Sequence, residues 1–212
     1  MNTAKQQLRI VVLGANGATG RHLVDGALER GHDVHAIVRD PKRYDHPTDP
    51  HLTVHQGDVH DPSSIAAAIT PGTVVLSGLG IRSKAEAGTL TAGARAVLNA
   101  HPAAVVWLGA IGTGRSTAAV GRLTSKLLKA GFGPEYEDKT TADALILDAG
   151  QTLIHCGPLN EKAASDYEAI PIAAIRRRFF PAFVPRAAVA QVMLNEAETH
   201  AHAGTIVVPR PA

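Results

Sequence analysis

The sequence predicts an α/β protein built on a doubly wound parallel sheet, and three observations carry that expectation. Short apolar runs rich in β-branched residues recur along the chain. Stretches with helical apolar spacing separate them, and such alternation argues for parallel strands with helices on both faces. A glycine-rich turn joins the first apolar run to the first helix.

The elements follow in order. Leu8–Leu13 reads as a buried strand stopped by Gly14, and 17–29 reads as a helix ended by Gly31. Asp33–Val38 is a second strand, and Pro41, Pro47 and Pro50 make 40–50 a loop. Leu52–Gln56 is a third strand, 62–69 a short helix with proline in its first turn, and Thr73–Ser77 a fourth strand. A helix over 89–100 leads to a fifth strand, Ala104–Leu108. Two helices, 117–130 and 135–147, are separated by Gly131-Phe132-Gly133-Pro134. Thr152–His155 is a sixth strand, 160–185 is irregular and broken by prolines, 185–198 is a helix, and Thr205–Val208 closes the sheet. No repeat or linker interrupts this order, so 1–212 is expected to form one domain, with 159–185 as a small inserted C-terminal cap over the substrate.

Composition narrows the function. The 212 residues are 45% hydrophobic and 19% charged, which is globular composition, and the length suits one domain at about 150 residues each. A net charge of +2 without a clustered basic face argues against nucleic acid. No apolar run reaches the roughly 18 residues of a membrane span. The single cysteine, Cys156, rules out an intrachain disulfide, and with no apolar leader at Met1–Gln7 the expectation is a reducing, cytoplasmic setting.

Gly14-Ala15-Asn16-Gly17-Ala18-Thr19-Gly20 is the strongest chemical signal. Gly14 permits the tight exit from the strand, Gly17 removes a Cβ where a phosphate must approach, and Gly20 lets the helix pack on the sheet. The unpaired amides and partial positive charge of the helix N-terminus suit a pyrophosphate. The pattern is G-x-x-G-x-x-G, and its place between strand and helix gives it weight. At the end of the second strand stands Val38-Arg39-Asp40-Pro41-Lys42-Arg43. An NAD-binding fold offers a carboxylate to the ribose here, an NADP-binding fold an arginine to the 2′-phosphate. Arg39 and Arg43 therefore favour NADP(H) over NAD(H), with Asp40 a mild counter-signal and a solvated basic loop the bland alternative.

These residues, with Gln56-Gly57-Asp58-Val59, Thr152-Leu153-Ile154, Gly157-Pro158-Leu159 and Val184-Pro185-Arg186-Ala187-Ala188-Val189-Ala190, resemble the atypical short-chain dehydrogenase/reductase group. Within it they are similar to the NAD(P)H-binding, NmrA-like and biliverdin/flavin reductase-like proteins. The resemblance covers nearly the whole chain outside 160–183, and it implies a Rossmann-type NAD(P)-binding domain. It implies that Asp58 and Val59 flank the adenine, that Gly78, Leu79 and Gly80 pass under the ribose and nicotinamide, that Ala110 sits beside the reactive ring, and that Lys139 bonds the nicotinamide ribose.

The departures bear on the chemistry. The group's main branch uses Tyr-x-x-x-Lys with a serine after the fifth strand, whereas the residues four beyond Tyr44, Tyr136 and Tyr167 are Thr48, Thr140 and Pro171. Gly109 or Ala110 stands where the serine would be. Reduction of an isolated ketone needs a proton donor at the developing alkoxide. Flavins and quinones delocalise the added charge, so the missing tyrosine favours a small planar acceptor of that kind. The candidate catalytic residues are Lys139, with Tyr136 three positions away on the same helical face, and His155 as a proton donor at the pocket wall. A cofactor-binding redox sensor of NmrA-like type and an atypical carbonyl reductase or epimerase remain the alternatives.

Other features read blandly. Cys156 at a strand end is a small core residue in the first instance. The eleven histidines lack a metal-ligand pattern, so no metal is expected. Arg176-Arg177-Arg178 beside Phe179-Phe180-Pro181-Ala182-Phe183 is either ordinary cap packing or part of a cap closing over an apolar pocket. Cap aromatics and an edge strand both suit a homodimer, and the sequence leaves that open.

Overall fold

The computed structural model describes residues 6–81, 83–120, 122–175 and 181–212. Its strands are β1 (Arg9–Leu13), β2 (Asp33–Val38), β3 (Leu52–Gln56), β4 (Val74–Ser77), β5 (Ala104–Ala110), β6 (Thr152–Cys156), β7 (Leu159–Asn160), β8 (Tyr167–Pro171), β9 (Val184–Pro185) and β10 (Ile206–Pro211). Its α-helices are α1 (Ala18–Glu29), α2 (Pro62–Ala66), α3 (Thr89–Asn99), α4 (Arg122–Asp148) and α5 (Arg186–Thr199). The main sheet runs β3-β2-β1-β4-β5-β6-β10-β8, and all neighbours are parallel except β10 and β8.

Both faces of this sheet are covered, which is why the central strands read as unbroken apolar runs. Val12, Leu76, Val106 and Ile154 pack with Leu23 and Ala27 of α1 and Met193 and Leu194 of α5. Val11, Leu13, Val75, Trp107 and Leu153 pack with Leu90 and Val97 of α3 and Ile146 of α4. Chain order reverses between β1 and β4, so their carboxyl ends open a crevice at the switch point of the sheet.

Three expectations need correcting. Residues 160–185 are not irregular throughout, because β8 forms the edge of the sheet and β7 pairs with β9. Prolines do not bar this: Pro171 ends an edge strand, and Pro209 and Pro211 lie where β10 has passed its pairing with β6. The two helices expected over 117–130 and 135–147 are both present within α4 and meet at Gly133, but the first begins only at Arg122, after a 3-10 turn at Gly114–Ala119. The expected break survives as a kink at Gly133, whose φ of 37° and ψ of −113° lie outside the helical range, next to Pro134. The short second helix ends at Ala66 rather than 69. Of the arginine and phenylalanine cluster, 176–180 lies outside the described residues, and Phe183 is 68% exposed.

Candidate functional site

The crevice at the switch point is a cleft of about 810 Å3. Gly14 leaves β1 with φ +71°, and a Cβ there would lie 3.1 Å from the backbone of Gly78 and Leu79 on the β4 side. A Cβ on Gly20 would stand 2.0 Å from the Gly14 carbonyl oxygen. Gly20 therefore does not line the cleft; it lets the first turn of α1 lie against the turn that precedes it. Gly17 caps α1 without a side-chain hydrogen bond, and the first turn holds no acidic residue. The opening amides of α1 are thus left for an anion from outside the helix.

Asn16, Gly17, Ala18, Thr19, Arg39, Arg43, Asp58, Val59, Gly78, Leu79, Gly80, Ala110 and Lys139 line the same cleft as Gly14. The candidate cofactor-binding residues other than Gly20 are thus brought to one surface, and this cradle of glycines, amides and cations fits a dinucleotide. Arg39 is 71% exposed on its side chain, and its Nη1 is 3.8 Å from Oε1 of the half-buried Glu86, a long contact that constrains it little. Asp40, the counter-signal, accepts from the Lys42 amide at 3.1 Å. Asp58 accepts from the His60 amide through Oδ1 at 2.9 Å.

Arg21 joins the glycine turn to the loop after β2. It donates to Asn16 Oδ1 at 2.6 Å and to the Asp45 carbonyl at 2.8 Å, and it lies 5.8 Å from the centre of the Tyr44 ring. Asn16 in turn donates to the Arg43 carbonyl at 3.3 Å. The loop bearing Arg43 is thereby docked on the glycine turn. At the other end, Asp138 accepts from the Leu90 and Thr91 amides at 3.0 and 2.9 Å, which fixes α4 against α3 and sets the position of its neighbour Lys139.

Tyr136 lies away from the cleft, whereas His155 lines an adjoining apolar cavity rather than the cleft itself. The Tyr136 hydroxyl donates to the Gly112 carbonyl at 3.1 Å, and the residue is not among those lining the cleft. His155 is fully buried on the α4 face of the sheet. Its Nδ1 is 2.8 Å from Ser116 Oγ, and its Nε2 is 3.1 Å from Asp143 Oδ2 but off the line of a hydrogen bond. Its ring occupies the space beside Gly109, where a Cβ would come within 2.6 Å. Ser116 also accepts from the Gly112 amide at 2.9 Å, and Thr113 Oγ1 donates toward the Ala110 carbonyl at 2.7 Å. These side chains clamp the loop after β5 from below. Nothing in the local sequence ties Ser116, Asp143 and His155 together, because they come from three elements.

Cys156 lines the cleft and is 6% exposed. Burial pushes its thiol from 9.0 up to about 12, with Lys139 and Arg186 pulling the other way. The native state holds its proton where the unfolded chain gives it up, so this site's contribution to stability falls as pH rises above about 9. At pH 8, iodoacetamide should alkylate the native protein at least about a hundredfold more slowly than the urea-unfolded chain. Equal rates would show an accessible thiolate. Cys156 and Gly157 also line a second cavity of about 390 Å3, walled chiefly by apolar side chains including Ile111, Ile170, Val184 and Val208. Gly157 is required there, since a Cβ would lie 2.1 Å from the Ala182 carbonyl oxygen.

No group of three potential metal ligands occurs among the described residues, and none of their helices is long and apolar enough to cross a membrane.

Known proteins share this architecture. ChuY, an anaerobillin reductase from Escherichia coli O157:H7, superimposes with a TM-score of 0.72 at 20% identity, over 96% of this chain and 100% of its own. A short-chain dehydrogenase/reductase from Veillonella parvula, solved in complex with NADP, gives 0.78 at 18% identity, over 96% and 94%. Among curated sequences, an isoflavone reductase homologue from Zea mays is 31% identical over 99 residues, 41% of this chain but 31% of the relative, so the match spans under a third of that protein. Residues 14–200 match the NAD(P)H-binding family, which takes in the glycine turn, the cleft and α5, and the chain belongs to that family.

Proposed function

We propose that this protein is an NADPH-dependent oxidoreductase that reduces a small planar acceptor of flavin or quinone type. The observation that carries the reading is the continuity of the cleft, from Arg39 and Arg43 through the glycine turn to Lys139. Bound NADPH supplies the hydride. The α1 amides hold the pyrophosphate, Arg39 and Arg43 take the 2′-phosphate, Asp58 and Val59 flank the adenine, and Lys139 holds the nicotinamide ribose. Gly78 and Gly80 let the backbone pass close beneath. The apolar space beyond Cys156 and Gly157 excludes water from the acceptor. Orientation is then the main catalytic contribution, because reacting atoms must be held about 3–3.5 Å apart.

The absence of a dedicated side-chain acid belongs to the same proposal. The Tyr136 hydroxyl engaged with Gly112 supports it, and His155 at the wall of the apolar cavity is the second group to test, with His155→Ala expected to keep turnover as Tyr136→Phe does. NADPH oxidation measured against flavins, quinones and simple ketones tests the function: turnover is expected with the first two. Tyr136→Phe should keep turnover within about threefold, and a loss of about 100-fold would restore that tyrosine as the acid. Tight NADPH binding with no turnover on any acceptor would replace the enzyme by a cofactor sensor.

A further inference from the structure

Arg186, the first residue of α5, lines the cleft near the β6 residue Cys156, away from Arg39, which follows β2. Its side chain is 24% exposed and pairs through Nη1 with Glu161 Oε1, on a carboxylate that is itself 62% exposed. The other Glu161 oxygen is 3.6 Å from His22 Nε2 on α1. Lys139 approaches from the opposite face of the sheet, and among the described residues no carboxylate forms an ion pair with it. Arg186 and Lys139 line the cleft together with Cys156, which also lines the apolar cavity.

The pyrophosphate seat does not need this arginine, because the opening amides of α1 supply its donors. An exposed carboxylate is a weak partner for a guanidinium, and a ligand offering two oxygens in one plane can replace it at little cost. We infer that Arg186 binds an anionic group, phosphate or carboxylate, on the planar acceptor, and that Glu161 occupies the guanidinium until that anion arrives. Arg186 is then a specificity residue: it favours acceptors with an acidic tail over neutral rings of the same size. The inference rests on the proposed reduction of a planar acceptor at this cleft.

FMN and riboflavin share one ring system and differ by a phosphate, so their binding to NADP+-saturated protein, read by flavin fluorescence, isolates the charge. FMN should bind at least about tenfold tighter than riboflavin. Arg186→Gln should abolish that preference and leave riboflavin unchanged, Arg186→Lys should keep part of it, and Glu161→Gln should strengthen FMN binding. Equal affinities in the wild type, or binding of neither flavin, would overturn the inference. So would an Arg186→Gln variant that loses NADP+ to the same degree as FMN, which would put the guanidinium on the cofactor's pyrophosphate. Thermal melts of each variant separate misfolding from loss of the site. Cofactor affinity is measured alone by calorimetry, so a failed cofactor reading registers there and a failed anion site registers only with the flavins.

Discussion

Arg39→Ala should weaken NADPH binding by about ten- to a hundredfold while changing NADH by less than about threefold. A guanidinium on a phosphate dianion makes charge-assisted hydrogen bonds worth roughly 1.5–3 kcal/mol each. NADH lacks that phosphate and gives the side chain nothing to bind. Because Arg39 is largely exposed and its contact with Glu86 is long, its removal should leave the fold intact. Calorimetry at fixed ionic strength checks this, since screening weakens exposed charges. Adding Arg43→Ala should deepen the NADPH loss further. Equal losses for both nucleotides would remove the 2′-phosphate role from Arg39 and leave the basic loop as a solvated surface.

Gly20→Ala should cost about 3 kcal/mol or more, large for a single methyl group. The new Cβ meets only backbone: the Gly14 carbonyl oxygen at 2.0 Å, its carbon at 2.7 Å and the Ala15 Cα at 2.8 Å. No rotamer change relieves such a contact, so the turn must move away from α1 or the helix from the sheet. Either movement takes the α1 amides away from the phosphate seat, and cofactor binding should fall with stability. Gly31→Ala is the control. Gly31 has φ +78° and nothing within 4 Å of a Cβ, so its cost is backbone strain alone, about 1–2 kcal/mol, with cofactor binding retained. Urea unfolding of the two variants tests the difference. Similar costs would mean that the close approach of Gly20 to Gly14 is not what this glycine is for.

Most of the sheet could be read from the chain because its rules are local. Ile10–Leu13 and Val74–Leu76 are buried on both faces, and an unbroken apolar run of that length records the burial directly. The glycine turn was legible for a similar reason: turn, amide cradle and helix start are contiguous. The missing Tyr-x-x-x-Lys was also a matter of counting. Edge strand β8 was not legible. It pairs with residues about forty positions later, and its prolines read as breaks until an edge location removes the need for their missing donors.

The sequence by itself determined the alternating α/β order, the glycine-rich turn and the basic end of β2, since each is written in neighbouring residues. Only the tertiary structure decided that His155 lies between Ser116 and Asp143 and borders the apolar cavity rather than the cleft. Only it decided that Tyr136 spends its hydroxyl on Gly112, that Asp138 anchors the helix of Lys139, and that Arg186 and Lys139 line one cleft with Cys156. The physical reason is the same in each case. Burial and charge pairing depend on distance in space, and here the partners arrive from separate elements that only the packing of helices on both faces of one sheet brings together.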